Sequence, residues 1–530
     1  MRTHLMRLAI LPAGLVLTFS AATGQQTTTP PAQQDPYVVG RAMPPLDPGR
    51  TMVSMTLAQA IERALQSNLA LQTARLDPAI QEYAVDAARA AFSPVVSATV
   101  GYNNATNQST SQLDGGARTT SERTTFNSSV AKTFPWSGGR LVANFNNNRT
   151  ETNNSFATRN PSYSSQLSFN YTQPLLAGLQ IDNQRAALES QVILSGIVDL
   201  ELRGQIENVT HQVKEAYWDL RTAIEQIEIQ RRSLAEAEQL LADTRLQVRL
   251  GRMVELQAAQ AEAQVAAAQQ SLLNAEIVWR NQELGLKQLL LSGADDPLLN
   301  QTVNPVDLPE LTAQEVDLRA AVDTALRSRM DIRRARQQQE VTLLNLKVSR
   351  SNAMPDLNLS AGYALAGVGG NLFNRSGLGG APVLINAGGY RQGLESIIYF
   401  ETPTWNLQLN GSYPIGNNPG KIDLERARLQ LRQSELALKT QELGIITEVT
   451  AAGLAVRNSF LQVEAARKSR EASERNLAGE RTRLSVGLGR PFEVVTAQNA
   501  VTSARLAELR AIMTHMNALA NFERVKRVGN

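Results

Sequence analysis

The chain repeats itself, and that constrains its fold more than any other feature. "LAQAIERAL" (Leu57 to Leu65) returns as "LRAAVDTAL" (Leu318 to Leu326), and "FSPVVSATVGY" (Phe92 to Tyr102) as "AMPDLNLSAGY" (Ala353 to Tyr363). Leu57 to Leu318, Pro94 to Pro355 and Tyr102 to Tyr363 all keep one spacing of 261. Farther on, Pro174 and Pro414 are 240 apart, and two similar interruptions, "RLQVRLGRMVELQ" from Arg245 and "RLSVGLGRPFEVV" from Arg483, are 238 apart. A fixed period marks tandem structural units, and the spacing shrinks between the prolines because Pro94 to Pro174 is longer than Pro355 to Pro414. Each half reads in the same order: Ala-rich helix, Pro, strand region, Pro, very long helix, interruption, second long helix. Repeat 1 is assigned to 51–292 with strand region 94–174, a linker to 293–316, and repeat 2 to 317–528 with strand region 355–414.

The long segments carry helical periodicity. From Ile206 the series Val209, Val213, Ala216, Leu220, Ala223, Ile227 steps by three and four, and it resumes from Leu234 through Ala237 and Leu241 to Val248. That is a coiled-coil seam. An unbroken helix from Ile181 to Val248 would be about 100 Å long. Stretches such as "QAAQAEAQVAAAQQ" (Gln257 to Gln270) supply small and amide side chains suited to close helix packing around a polar interior.

The strand regions carry the other period. Trp405, Leu407, Leu409, Gly411 and Tyr413 alternate with Asn406, Gln408, Asn410 and Ser412, and Leu167, Phe169 and Tyr171 alternate with Ser168 and Asn170. Apolar residues on one face and amides on the other suit a strand between lipid and water, and equally a half-buried strand of a soluble sheet. Region 94–174 has room for two strands plus an extra hairpin, "TTFNSSVAKTF" and "GRLVANFNNN" turned by "PWSGG"; whether it joins the same sheet is left open. The Gly-rich stretch Ala366 to Tyr390 reads as a loop in which no helix begins, and it has no Lys-Ser/Thr of a phosphate-binding loop.

Composition removes several functions. The formal charge of +3 comes from 52 basic and 49 acidic residues spread along the chain, which gives no footprint for nucleic acid. There is no cysteine and there are three histidines, His4, His211 and His515, none paired at metal-ligand spacing, so neither a metal nor another cofactor is expected. No serine sits in a nucleophile elbow, so no enzyme is expected. Arg2 and Arg7 ahead of "LAILPAGLVLTFSAA" (Leu8 to Ala22) read as a secretory signal over 1–24, followed by a Pro/Thr/Gln-rich leader over 25–50. Nothing else in the chain approaches the roughly 18 apolar residues of a spanning helix.

Two motifs then resemble a family, the TolC-type outer-membrane efflux proteins: "VKEAYWDLRTA" (Val213 to Ala223) in the long helix, and "RLSVGLGRPFEVVTAQNAV" with Val486, Gly487 and Leu488 at its centre. The likeness runs from about Thr51 to Asn530. It implies a mixed α and β fold in which a homotrimer forms an outer-membrane β-barrel continued by a long periplasmic α-helical barrel, with two repeats per protomer. It implies a passive exit duct, bedded in outer-membrane lipid and working with a periplasmic adaptor and an inner-membrane RND, ABC or MFS-type transporter to export small molecules or proteins. The interruptions become helical hairpin tips near 249–252 and 487–491. By the same resemblance Val248, Arg249, Leu250, Gly251, Val486, Gly487, Leu488 and Gly489 are adaptor-docking candidates, with Arg249 standing where the family usually has glycine. Glu255 and Glu493 match acidic positions of the periplasmic aperture, and Thr496 stands where a further aspartate is common. The alternative is a non-channel structural coiled coil at the cell surface or in the periplasm.

Overall fold

The computed structural model describes residues 41–45, 49–110, 116–309, 311, 315–377 and 380–526. The expected signal segment, and most of the expected leader, lie outside the described residues.

The duplication is visible in the element lengths. Repeat 1 opens with β1 (Thr51–Met55), α1 (Leu57–Ser67), α2 (Leu69–Ala74) and α3 (Asp77–Ala90), continues through β2 (Val95–Gln108), β3 (Arg118–Thr133), β4 (Arg140–Thr152) and β5 (Arg159–Pro174), and ends with α4 (Asn183–Arg249) and α5 (Glu255–Leu290). Repeat 2 runs β6 (Gln301–Pro305), α6 (Leu318–Ser328), α7 (Met330–Asn352), β7 (Asp356–Asn374), β8 (Val383–Asn386), α8 (Tyr390–Ile398), β9 (Pro403–Ser412), α9 (Pro419–Ser485) and α10 (Pro491–Lys526). The long helices α4 and α9 each have 67 residues, and the returning helices α5 and α10 each have 36. At 1.5 Å per residue these are about 100 and 54 Å.

Local chemistry sets where the helices start. Thr56 makes a capping box with Gln59 ahead of α1, and Asp317 caps α6 through the Ala320 N–H, the same position in the second copy. Asp182 accepts from the Arg185 N–H to start α4, and Asn418 from the Gly420 N–H to start α9, with Pro419 at the first turn.

β2, β3, β4, β5, β7 and β9 are joined edge to edge by antiparallel pairing, with short β8 on the far end of β7. The inserted hairpin of repeat 1 is therefore part of the sheet, as β3 and β4 between the two expected strands. The Gly-rich stretch differs from its reading as a loop: β7 runs through it to Asn374, β8 lies inside it, and α8 begins at its end. Glycine allows this. A Cβ on Gly367 would sit 1.8 Å from the Gly393 carbonyl oxygen, so α8 packs on the strand at a distance that only glycine permits.

A second, two-stranded sheet pairs β1 with β6 in parallel, Thr51 beside Gln301 through Met55 beside Pro305. It lies within the expected linker 293–316 on one side and is held by buried charge on the other. Arg221 and Glu225 form an ion pair at 2.8 Å, and Lys287 and Glu283 one at 3.1 Å, all four side chains no more than 3% exposed. Arg221 also donates to the Ala42 and Pro305 carbonyls at 3.1 and 2.9 Å, and Glu225 accepts from the Ala42 N–H at 3.1 Å. Glu283 accepts from the Val303 N–H, and Lys287 donates to the Leu299 and Gln301 carbonyls. The Tyr217 hydroxyl donates to the Met55 carbonyl and to Asp307; burial pushes its pKa up. This collar ties both strands to the middle of α4 and to the end of α5.

Apolar cores follow the seams. Ile332, Ile445, Val449, Val456, Phe522 and Val525 pack α7, α9 and α10 together, and Leu240, Leu477, Val494, Ala497 and Val501 join the two hairpins near their ends. Val209, Val213, Leu220, Ala223 and Ile227 of the expected α4 seam are buried.

Candidate functional site

Two features stand out, one at each end of the long helices: a two-faced sheet and a pair of hairpin tips.

The register aligns the alternation of all six long strands. One row joins Val96, Val130, Ala143, Phe169, Tyr363 and Trp405, and the row two residues on joins Ala98, Ser128, Phe145, Leu167, Leu365 and Pro403. The adjacent row, on the opposite face, joins Val95, Ala131, Val142, Asn170, Gly362 and Asn406, and on that face Asn127, Asn144, Gln166 and Gln408 follow. Hydroxyls and amides bond across it: Ser97 and Ser129 at 2.7 Å, Asn144 to Ser168 at 3.5 Å, Thr172 and Ser360 at 3.4 Å. The apolar face is open along the two outer strands, with Trp405 75%, Leu407 63% and Val96 71% exposed. In the middle of the sheet α8 covers it, where Leu365 is 4% exposed and the Tyr390 hydroxyl bonds Asn147. On β3 this face is bounded by Glu122 and Lys132, ten residues apart, the span of a tilted transmembrane strand. Among the described residues no helix is long and apolar enough to cross a membrane.

The two tips are built alike. Gly251 has φ +69° and Gly487 φ +77°, and each follows the last turn of its helix. The next N–H reaches back five residues, Arg252 to the Gln247 carbonyl and Leu488 to the Arg483 carbonyl, both at 2.9 Å. This is the Schellman closure of a helix, which needs a left-handed residue at its glycine. The equivalent pairs are therefore Gly251 with Gly487 and Arg249 with Ser485, a spacing of 236 (487 − 251), so Arg249 replaces no glycine of the turn. Gly489 serves a different end, since a Cβ there would meet the Leu484 nitrogen at 2.9 Å.

Between the tips lies a cleft of about 920 Å³, lined among others by Gly251, Arg252, Val254, Val486, Gly487, Gly489 and Arg490. It brings together Gly251, Val486, Gly487 and Gly489 of the sequence candidates; Val248, Arg249, Leu250 and Leu488 lie outside its lining. Leu250 is 57% and Leu488 77% exposed. Sequence reading missed Val254, Leu256 and Phe492, each more than 60% exposed beside the turns. Their signal was an apolar residue placed beside a helix start, close to the turn glycines.

The acidic candidates occupy unlike places. Glu255 is the exposed first residue of α5, whereas Glu493 lies two residues into α10 and its carboxylate accepts from the Arg490 N–H at 3.2 Å. Thr496 is exposed and donates back to the Phe492 carbonyl at 2.9 Å. None of the three lines the cleft. Elsewhere, His211 pairs with Glu215 at 3.3 Å, and burial pulls its pKa down despite that carboxylate. His515 is buried with its Nδ1 3.0 Å from the Ser459 hydroxyl. No group of three metal-ligating side chains occurs among the described residues.

The profile of the outer membrane efflux protein family matches residues 60–290 and 321–524, one match in each repeat. No protein of curated function matches the sequence. Among solved structures, a membrane protein from Pseudomonas aeruginosa superposes with a TM-score of 0.64 at 16% identity, covering 91% of this chain and 92% of its own. The CmeC outer membrane channel of Campylobacter jejuni gives 0.63 at 15% identity, with 89% and 86% covered. The outer membrane protein VceC of Vibrio cholerae gives 0.62 at 14% identity, with 89% and 96% covered. At these identities the likeness is one of fold.

Proposed function

Because the chain belongs to the outer membrane efflux protein family, whose members are non-enzymatic ducts, we propose that it is a passive exit channel of the outer membrane. It acts as a homotrimer whose sheets form a barrel in outer-membrane lipid and whose helices continue it through the periplasm. The observation that carries this reading is the six-stranded sheet, apolar on one face and open there along β2 and β9, and lined with amides and hydroxyls on the other. Lipid covers such an open apolar face, and water suits the other.

The long hairpins set the division of labour. The tips stand at the far end of α4 and α9 from the sheet, about 100 Å away along each helix. In this reading Val248, Arg249, Leu250, Gly251, Val486, Gly487, Leu488 and Gly489, with Val254, Leu256 and Phe492, receive the hairpins of a periplasmic adaptor, and an inner-membrane transporter of the RND, ABC or MFS type supplies energy and cargo, small molecules or proteins. Glu255, Glu493 and Thr496 stand at the inner aperture, where threefold symmetry would make each glutamate a ring of carboxylates that draws cations.

Purified protein in planar bilayers should give discrete single-channel conductance, and Glu493→Gln should change its cation sensitivity while leaving trimer assembly intact. Protein that stays soluble without detergent and never inserts would overturn the channel; unchanged cation sensitivity would remove Glu493 from the aperture.

A further inference from the structure

Six long strands cannot close on themselves, and among the described residues the sheet leaves two long edges unpaired: β2, of 14 residues, and β9, of 10. Open edges of that length pair with something. Resting on the channel reading above, we infer that β9 of each copy pairs antiparallel with β2 of the next, so that three copies close a barrel of eighteen strands, with the inserted hairpin β3–β4 as part of its wall.

Three observations support the closure. The apolar and polar rows run through β3 and β4 without a change of face, Val96 to Val130 to Ala143 to Phe169 on one side and Ser97 to Ser129 to Asn144 to Ser168 on the other, so the hairpin has the faces of wall strands. Strand direction fits, since β2 leaves the helical end of the sheet and β9 returns to it. The stagger also fits. Val95 lies in register with Asn406 through the intervening strands, so the helical end of β9 at Ser412 is six residues beyond that row (412 − 406). If the strand ends meet the helices at one level and the seam adds no further shift, six residues of stagger across the six strand spacings of one copy give a tilt of about 35°, at the lower end of the 35–45° that closed barrels adopt.

The same stagger gives the register of the new seam. Threefold symmetry returns β2 to its own height in the next copy, and a shift of six residues per copy places Ser412 opposite Val95 and Pro403 opposite Asn104. All ten residues of β9 are then paired. Leu407 faces Val100 and Trp405 faces Tyr102 on the apolar side, and Gln408 faces Thr99 on the polar side. An odd shift would put Trp405 among the amides. Eighteen strands at this tilt enclose a barrel about 34 Å across between backbones, wide enough for an aqueous channel, whereas the twelve strands left without the hairpin would give about 23 Å.

The chain has no cysteine, so a disulfide can report this seam. Thr99→Cys with Gln408→Cys, oxidised in membranes, should give a covalent trimer on a non-reducing gel that reduction dissolves, and neither single variant should. Electron microscopy of the wild-type protein in lipid should count eighteen strands. A threefold membrane particle with twelve strands and β3–β4 folded outside, or an eighteen-stranded one in which the pair fails to link, would overturn the closure or its register while leaving the channel in place. Absence of any threefold membrane particle would overturn the channel reading itself.

Discussion

Arg221→Met should unfasten the collar without disturbing either end of the molecule. The guanidinium is 3% exposed and holds Glu225 at 2.8 Å, the Pro305 carbonyl at 2.9 Å and the Ala42 carbonyl at 3.1 Å. Methionine matches its apolar stem but removes every donor. Glu225, fully buried, keeps the Ala42 N–H and loses the Arg221 guanidinium. Breaking a buried pair in this way costs about 3–5 kcal/mol, because the remaining charge loses its closest buried partner. A cost of that size raises the local opening constant of β1 and β6 by about two to three and a half decades, since 1.4 kcal/mol is a factor of ten. Hydrogen exchange read by mass spectrometry on peptides covering Thr51–Met55 and Gln301–Pro305 measures it directly. The double variant Arg221→Met/Glu225→Leu removes both charges and should recover most of the lost protection. Protection in Arg221→Met within threefold of wild type, or a double variant no better than the single, would refute the assignment of the collar's stability to this pair.

Other outcomes follow from the same geometry. Gly251→Ala and Gly487→Ala have open space around the new Cβ but φ of +69° and +77°, so each should cost about 1–2 kcal/mol, seen as faster proteolysis at that tip alone. Leu407→Arg, on the apolar face, should cost about 2–4 kcal/mol in folding into lipid, whereas Gln408→Arg on the polar face should be tolerated; refolding yield into vesicles separates them. Burial pushes the Asp296 carboxyl up, but the Leu298 and Ser292 N–H groups, the Ser292 hydroxyl and Arg63 outweigh it and bring it down to about 2. Its contribution is thus complete above pH ~4 and is lost as pH falls from there toward 2; Asp296→Asn should flatten that part of an acid titration followed by exchange at residues 297–305. Gly367→Ala should displace α8, because the new Cβ has no room beside Gly393, and protease cleavage between Gly388 and Phe400 reports it.

What the sequence disclosed and what it hid divide along a physical line. Period is a one-dimensional property, so the duplicated order of elements, the length of α4 and the two faces of β5 and β9 were all legible before any coordinates. Spacing of the turns was less so: matching arginine to arginine put the breaks 238 apart, whereas the residues that end the helices, Gly251 and Gly487, are 236 apart, because a Schellman closure is defined by a backbone angle and not by the side chains around it. The inserted hairpin was legible as strands but not as wall, since only the register from Val130 to Ala143 to Phe169 fixes its face. The collar was hidden for a stronger reason. Arg221 with Glu225, and Glu283 with Lys287, are spaced like the solvated i,i+4 pairs of any long helix, and "TMVSM" and "QTVNP" are too short to show a period. Their meaning comes from strands 250 residues apart lying side by side over those four charges, which makes an ordinary surface pattern into the buried joint of both repeats.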